Sequence, residues 1–348
     1  MTWYAVHVSS RFRRLLPGLL VTGAFTAWFV VGTHWGEVSA ALAEVQGGWV
    51  ALSAVVLFSE FYIRAARWKV LLGPLAPDVR PVRLLVATII GMGLNVILPF
   101  RAGDLARPWL GHRETGVAVL PLVTIAVIER VFDILGLVCV LLLMVVLLPT
   151  EATAQGELVW NLKFYGACFG FIGIAALSTF LWLATREVAA RALFMRIASL
   201  GPPPLRDRAV ELFDGFVVGL ESVRDRRALV KAGALSVLHW FNGSLSIFVL
   251  FRAFDIDLPF AAACFTTVAI ALTVALPQAP GFFGVFHVAI ERTLVLWGQD
   301  AGPSQAFAIV FWAVSFVPVT LAALVLSGRE GVRLADFARG AVVERQAG

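Results

Sequence analysis

The sequence is short of charged residues. Asp, Glu, Lys and Arg make up only 15% of its 348 residues, whereas 59% are hydrophobic. Its mean hydropathy is +0.86. A soluble domain carries charge on roughly a quarter of its residues, so this composition excludes a soluble globular domain. It predicts an integral membrane protein instead.

Cysteine and several catalytic signatures are also scarce. Cys139, Cys168 and Cys264 stand singly in apolar runs, with no metal or redox spacing, and are interpreted as small core residues. The sequence contains no G-x-x-x-x-G-K-[ST] loop, no compact D-x-x-D motif and no histidine cluster. We therefore expect no nucleotide-driven motor, no resident metal and no cofactor.

The basic residues, which give a net charge of +5, are grouped beside apolar runs rather than along one polar face. The positive-inside rule explains this grouping, so we predict no nucleic-acid partner. Both termini are predicted to be cytoplasmic, with the chain in the cell inner membrane, because basic groups precede the first span and follow the last one: Arg11, Arg13 and Arg14, then Arg329, Arg333, Arg339 and Arg345.

Apolar runs of about 20 residues, enough to cross a bilayer, define the expected spans. Val117–Val127 is placed partly at the interface, and the loop with Glu37 and Glu44 outside. The six predicted full spans are Leu15–Trp35, Gly48–Leu72, Ile128–Leu148, Leu162–Leu183, Ala232–Phe251 and Ala306–Leu326.

Two further apolar stretches are too short or too broken to span the bilayer and are predicted to be re-entrant hairpins. One is Leu84–Leu98, and the other pairs Phe260–Leu276 with Gly284–Trp297. The fold class is therefore an all-α, polytopic transmembrane helical bundle, with residues 1–348 as a single membrane domain. An amphipathic helix at about 205–227 is inserted between spans and lies along the membrane or on a neighbouring helix.

The two hairpins share the pattern L-P-x-x-x-G, at Leu98–Gly103 and at Leu276–Gly281. On the predicted topology they enter from opposite faces, which indicates an inverted repeat with a substrate site where the breaks meet. Chance is the alternative, because leucine, proline and glycine are common in this chain.

The physical chemistry of the first break favours an anion. Pro99 stops one helix, Gly103 permits the next to start at a sharp angle, and the free N–H groups of that new helix carry a partial positive charge. With Arg101 beside them, these groups predict a site for an anionic group such as a phosphate. Asp104 could instead cap the new helix and neutralise Arg101 or Arg107.

Other polar residues leave alternatives open. Glu129 and Asp133 share one helix face, and Glu129 could pair with Arg101 or Arg107 as structural support or take part in gating. Glu60 and Arg64 are interpreted as a local pair, with lining of the site as the alternative. His239 and Asn242 are interpreted as donors or acceptors of hydrogen bonds between helices.

At these residues the chain resembles the lysylphosphatidylglycerol synthase transmembrane, or flippase-like, family. The resemblance is carried by four segments: Arg67-Trp68, Asn95-x-x-Leu98-Pro99-x-Arg101-x-Gly103-Asp104-x-x-Arg107, Glu129-Arg130-x-x-Asp133 and Pro280-Gly281-x-x-Gly284-Val285-Phe286. The family usually has Glu at position 104. It also usually has Glu at position 287, where His would make the site sensitive to pH.

The resemblance implies a protein that moves lipids or lipid-linked molecules between leaflets. Members with a soluble aminoacyl-transferase domain carry it after the membrane part. This chain ends soon after its last span, so lipid aminoacylation is not expected. The candidate substrate-binding residues are Asn95, Pro99, Arg101, Gly103, Asp104, Arg107, Glu129, Arg130, Asp133, Gln278, Pro280, Gly281, Gly284 and His287.

We therefore expect a non-enzymatic transporter of membrane lipids with an anionic headgroup. Two alternatives remain. One is a membrane-embedded lipid or polyprenyl-phosphate transferase in which Asp104, Glu129 and Asp133 hold Mg²⁺. The other is a scaffold that positions a lipid-biosynthetic enzyme as its partner through residues 205–227.

Overall fold

The computed structural model describes residues 20, 22–98, 103–147, 164, 171–172, 174–183, 185–198, 210, 213–275 and 280–332. Within these ranges all regular secondary structure is helical. A one-turn 3₁₀ helix, Leu220–Val223, follows α10. The helices are α1 (Thr22–Gly32), α2 (Trp35–Glu44), α3 (Gly47–Phe58), α4 (Glu60–Leu72), α5 (Pro81–Ile97), α6 (Gly103–Thr115), α7 (Val119–Leu147), α8 (Ile174–Leu183), α9 (Glu187–Ala198), α10 (213–219), α11 (Arg226–Ala253), α12 (Phe260–Val274), α13 (Val285–Leu296) and α14 (Ala301–Arg329).

Three of the described helical segments are long and apolar enough to cross a membrane: Gly47–Leu72, Arg226–Ala253 and Ala301–Arg329. They contain the spans predicted from about Gly48, Ala232 and Ala306. Helix α7 has 29 residues and continues through the stretch that was predicted to lie partly at the interface. The prediction of a multi-pass helical membrane protein is therefore confirmed.

The first part of the chain differs from expectation in one place. The segment with Glu37 and Glu44 is the helix α2, not a loop, and it packs against α14, where Glu37 lies against Gly302. The second predicted span is confirmed as one helical segment of 26 residues, Gly47–Leu72. Ser59 is a single turn residue between α3 and α4, and its φ and ψ of −62° and −19° remain helical.

Both predicted hairpins are pairs of antiparallel, packed helices. In the first, α5 lies against α6 so closely that a Cβ added to Gly103 would be 1.9 Å from the carbonyl oxygen of Gly91. In the second, α12 lies against α13, and the hydroxyls of Thr266 and Thr293 are 3.2 Å apart. Whether these hairpins are re-entrant, and whether an inverted repeat relates them, stay predictions.

The apolar core has two main parts. One joins α4, α5, α6 and α7, with the fully buried Leu72, Leu84 and Leu122 at its centre, and the other joins α11, α12, α13 and α14 around Phe251 and Phe307. The predicted amphipathic helix packs on neighbouring helices: its Phe213 and Val217 are buried against Leu183 and Phe194. These packed faces hold the helices that surround the site.

Candidate functional site

The ends of the two hairpins meet inside the bundle. The backbone N–H of Gly281 donates a 2.8 Å hydrogen bond to the carbonyl oxygen of Val96, one residue before the end of α5. The indole Nε1 of Trp312 donates to the carbonyl oxygen of Gly281 at 2.8 Å. Gly281 and Phe282 have φ angles of +85° and +55°, so this turn uses backbone conformations that suit glycine and strain phenylalanine. The described sides of the two breaks are therefore in direct contact.

A cavity of about 960 Å³ lies beside this contact and is walled by residues of α3 to α7 and of α11 to α14. Most of its wall is aliphatic or aromatic, with residues such as Leu137, Val268, Phe286 and Phe311. Its charged and most polar lining residues are Glu60, Arg64, Asn95, Asp104, Arg130, Asp133 and His239. The cavity is thus amphipathic, and its volume falls within the usual range for ligand sites.

Asn95 and Asp104 join the two helices of the first hairpin at the cavity wall. The amide nitrogen of Asn95 donates to the Asp104 carboxylate at 2.9 Å, and the Asp104 backbone N–H donates to the Asn95 amide oxygen at 3.0 Å. Asn95 therefore satisfies one of the free N–H groups in the first turn of α6. This contact fixes the angle between the helices and places Asp104 at the cavity.

Behind the cavity wall lies a buried network of ion pairs. Glu129 is only 1% exposed, and its carboxylate is 3.0 Å from a guanidinium nitrogen of Arg107 and 3.5 Å from Arg67. Arg67 also donates to Asp133 at 2.5 Å and to the hydroxyl of Ser236 at 2.7 Å. Charges this deeply buried persist only when they are paired, so the network joins α4, α6, α7 and α11 electrostatically.

Aromatic packing reinforces one end of this network. The Arg107 guanidinium lies over the Trp68 ring, 4.8 Å from its centroid, in a cation–π contact. Arg107 is therefore held by Glu129 on one side and by Trp68 on the other. It lies next to the cavity and does not line it.

Arg130 has a different environment from the other arginines of α4, α6 and α7. Its guanidinium is 3.5 Å from Asp133, whose other oxygen already accepts from Arg67, and 39% of its side chain is exposed. It lines the cavity. Arg130 is therefore the cation of this network that a ligand in the cavity can reach most readily.

A second polar cluster lines the same cavity where α3 meets α4. Arg64 donates to the His239 ring at 2.9 Å, and Glu60 lies 3.8 Å from Arg64. Next to them, Asn242 donates to the carbonyl oxygen of Val56, which confirms the interhelical hydrogen bond predicted for that residue. The sequence interpretation favoured a local pair for Glu60 and Arg64, with lining of the site as the alternative, and it did not place His239 at the site. The structure shows that all three side chains line the cavity.

The comparisons with known proteins agree with this architecture. The model of the lysylphosphatidylglycerol synthase TM region matches residues 15–323. The chain belongs to this family. The resemblance stated from the sequence motifs is thereby confirmed.

Relatives of this family member include archaeal membrane proteins. A UPF0104 membrane protein of Methanocaldococcus jannaschii is 23% identical over 66% of this chain and 91% of the relative. Another, of Methanothermobacter thermautotrophicus, is 23% identical over 86% of this chain and 88% of the relative. Glycosyltransferase AglD of Haloferax volcanii is 25% identical over 83% of this chain and 50% of AglD. No solved structure matches the chain.

In this member of the lysylphosphatidylglycerol synthase TM family, the structure brings some of the predicted site residues together. Asn95, Asp104, Arg130 and Asp133 line the cavity, and Gly281 adjoins it through its contact with Val96. Arg107 and Glu129 lie behind the wall. Pro99, Arg101 and Gln278 lie outside the described residues.

The remaining predicted residues have packing contacts. Gly103 lies against Gly91, and Gly284 lies against the backbone of Thr26 in α1, whereas Pro280 is exposed. His287 is 0% exposed and lies among aromatic rings, with ring centroids 4.3 Å from Phe283 and 4.7 Å from Phe29. Neither ring nitrogen of His287 has a hydrogen-bond partner among the described residues.

Proposed function

We propose that this protein moves a lipid, or a lipid-linked molecule, with an anionic headgroup between the leaflets of the cytoplasmic membrane. The observation that carries the proposal is the cavity, whose wall is mostly apolar and whose charged residues are gathered in one part. A lipid is divided in the same way, because its headgroup is charged and its chains are apolar. The proposed site is the part of the cavity near the contact between the two hairpins.

The physical need for such a cavity is clear. Placing a charged headgroup in the hydrocarbon core costs free energy, whereas lipid chains are already solvated there. A path lined by charged and polar side chains lowers the cost for the headgroup and leaves the chains in apolar surroundings. The described helices offer both surfaces within one space of about 960 Å³.

Arg130 is the proposed anchor for the headgroup. Arg67 and Arg107 are held by Glu129 and Asp133, so they mainly shape the wall and support the residues in front of them. Arg130 lines the cavity and shares Asp133 with Arg67. An anionic oxygen could therefore replace the 3.5 Å contact of Arg130 without leaving Asp133 unpaired.

A second candidate function is transfer of a group to or from a lipid phosphate in the same cavity. The observation that favours it is the similarity to half of AglD, a protein named as a glycosyltransferase. No group of three acidic, histidine or cysteine side chains suited to a metal occurs among the described residues. The transporter proposal accounts for the cavity without a metal-dependent step.

The test is leaflet-resolved labelling of a fluorescent phosphatidylglycerol in phosphatidylcholine vesicles that contain the purified protein. We expect wild type to move the probe faster than empty vesicles do and Arg130→Gln to lose most of that excess rate. Arg191→Gln is the matched control, because Arg191 pairs with Asp214 at the exposed surface, with 53% of its side chain accessible. Equal rates for wild type and empty vesicles would contradict the proposal, and chemical turnover of the probe would favour the transferase.

A further inference from the structure

One cavity residue, Glu60, has an unusual environment for a carboxylate within a membrane span. It is the first residue of α4, directly after Ser59, and its side chain is 15% exposed. Its oxygens lie 3.8 Å from Nε of Arg64 and 3.9 Å from Nδ1 of His239. Both distances exceed hydrogen-bonding range. Among the described residues, Glu60 therefore has neighbouring charge but no hydrogen-bond donor in contact.

The hydrogen bond from Arg64 determines the tautomer of His239. Arginine has only donors, and its Nη2 lies 2.9 Å from Nε2 of His239, so Nε2 must be the acceptor. The ring proton is therefore on Nδ1, which faces Glu60 and has no hydrogen-bond partner. Two guanidinium nitrogens of the buried Arg64, Nε and Nη1, also lack hydrogen-bond partners. Two of these buried donors, Nε of Arg64 and Nδ1 of His239, thus lie within 4 Å of one carboxylate that neither of them reaches.

Charged groups of both signs lie near Glu60 before any ligand enters. Arg64 acts on it from α4, Asp133 from α7 and His239 from α11, and Arg130 of α7 lines the same cavity. The described arginines of the whole polar region are Arg64, Arg67, Arg107 and Arg130, and its described acids are Glu60, Asp104, Glu129 and Asp133. An anionic headgroup would therefore bring uncompensated negative charge into a buried region, where that is costly.

We propose that Glu60 is a proton-binding site and that it takes up a proton when the headgroup enters the cavity. This inference rests on the proposed function. The headgroup anion attracts Arg64, which weakens the interaction between Arg64 and Glu60. A hydronium ion that enters from the aqueous phase then transfers its proton to a carboxylate oxygen of Glu60 and leaves as water, so one positive charge is added and balances the negative charge of the headgroup. Departure of the headgroup reverses both steps.

A proton suits this place better than a metal cation does. Sodium and divalent cations need several oxygen ligands, whereas the nearby Asp133 is already paired with Arg67 and Arg130, and Glu60 has a guanidinium 3.8 Å away. A proton needs a single oxygen atom. The neutral carboxylic acid could also donate a hydrogen bond, for example to a headgroup oxygen.

The first experiment does not depend on lipid transport. Infrared spectra of the protein in phosphatidylcholine nanodiscs, recorded across a pH series with added short-chain phosphatidylglycerol, report the C=O stretch of protonated carboxyl groups. We expect a lipid-dependent band in wild type that is absent from Glu60→Gln. The band should persist in Glu44→Gln, since Glu44 is exposed on α2. Glu60→Asp should retain a shifted band, which guards against loss of the signal through misfolding. A band that is absent in wild type, or unchanged in Glu60→Gln, would overturn the proton site.

The second experiment tests whether lipid movement is coupled to proton movement. In the vesicle assay, a pH gradient should change the wild-type rate of probe movement several-fold, while any rate that Glu60→Gln retains should not respond to the gradient. A wild-type rate that ignores the gradient would overturn the coupling. If the infrared band behaves as expected but no vesicle preparation moves lipid, the proposed function fails and the proton site stands.

Discussion

At the scale of single residues, Glu129 illustrates how this protein keeps charge inside an apolar bundle. It is 1% exposed and lies between Arg107 and Arg67. Removing the carboxylate would take from Arg107 the partner described here, whereas Arg67 would keep Asp133. Unpaired buried charge costs far more than an exposed ion pair contributes, so Glu129 should be essential to folding whatever the cavity binds.

We expect Glu129→Ala to lower the free energy of unfolding by about 3–5 kcal/mol. Glu114→Ala removes a carboxylate that is 3.6 Å from Arg83 and 26% exposed, and should cost at most about 1 kcal/mol. Thermal unfolding in detergent, followed by tryptophan fluorescence, compares the two variants. Similar melting temperatures for both would show that the buried network is not an important source of stability.

The residue pairs also show what can be predicted from sequence. The pairing of Glu129 with Arg107 was one of two alternatives, because both residues are charged and both lie in apolar surroundings. The contact of Arg64 with His239 joins α4 to α11 across the bundle, and no sequence spacing indicates it. Local pairs one turn apart, such as Glu60 with Arg64, follow from helix geometry, whereas partners on distant helices depend on the tertiary fold.

At the scale of elements, the first hairpin depends on close backbone contact between α5 and α6. Gly103 occupies the point of closest approach, where an added Cβ would be 1.9 Å from the oxygen of Gly91 and 2.7 Å from the nitrogen of Asn95. Backbone atoms cannot rotate away as a side chain can. Any larger residue must therefore separate the helices and disturb the Asn95–Asp104 contact.

Gly103→Ala should destabilise the protein by on the order of 1–3 kcal/mol and reduce lipid movement, since Asp104 would shift at the cavity wall. Gly47→Ala is the control, because a Cβ there meets nothing within 4 Å. It should leave stability unchanged or raise it by up to about 1 kcal/mol. Unfolding midpoints and vesicle assays of both variants make the comparison. A stable, fully active Gly103→Ala protein would contradict the packing described here.

Sequence reasoning placed the long helices well and the contacts between distant helices less completely. Hydrophobic length placed Ala306–Leu326 within α14, and the Pro-Gly spacing placed the ends of both hairpins. The hydroxyl of Ser59, between α3 and α4, donates to the carbonyl oxygen of Val56, which also accepts from Asn242 of α11. Composition cannot reveal such a contact with a helix that is distant in sequence.

At the scale of the whole molecule, the cavity depends on helices that are far apart in sequence. Its wall combines residues of α3 to α7 with residues of α11 to α14, and the hydrogen bond between Gly281 and Val96 joins the two hairpins next to it. The similar breaks predicted that the hairpin ends would meet. They could not predict the volume or the apolar wall of the cavity, because these arise from how all the helices pack.

The cavity can be tested by filling it. Gly243 of α11 lines the wall, and its nearest neighbour for an added Cβ is Thr267 at 4.0 Å, so Gly243→Leu should fit without disturbing the helices and should project into the open space. We expect this variant to unfold at the wild-type temperature while its lipid movement falls to the rate of empty vesicles. Gly328→Leu adds the same side chain at an exposed position on α14 where a Cβ meets nothing within 4 Å, and it should keep wild-type activity. If Gly243→Leu retains wild-type transport, the lipid does not pass through this cavity.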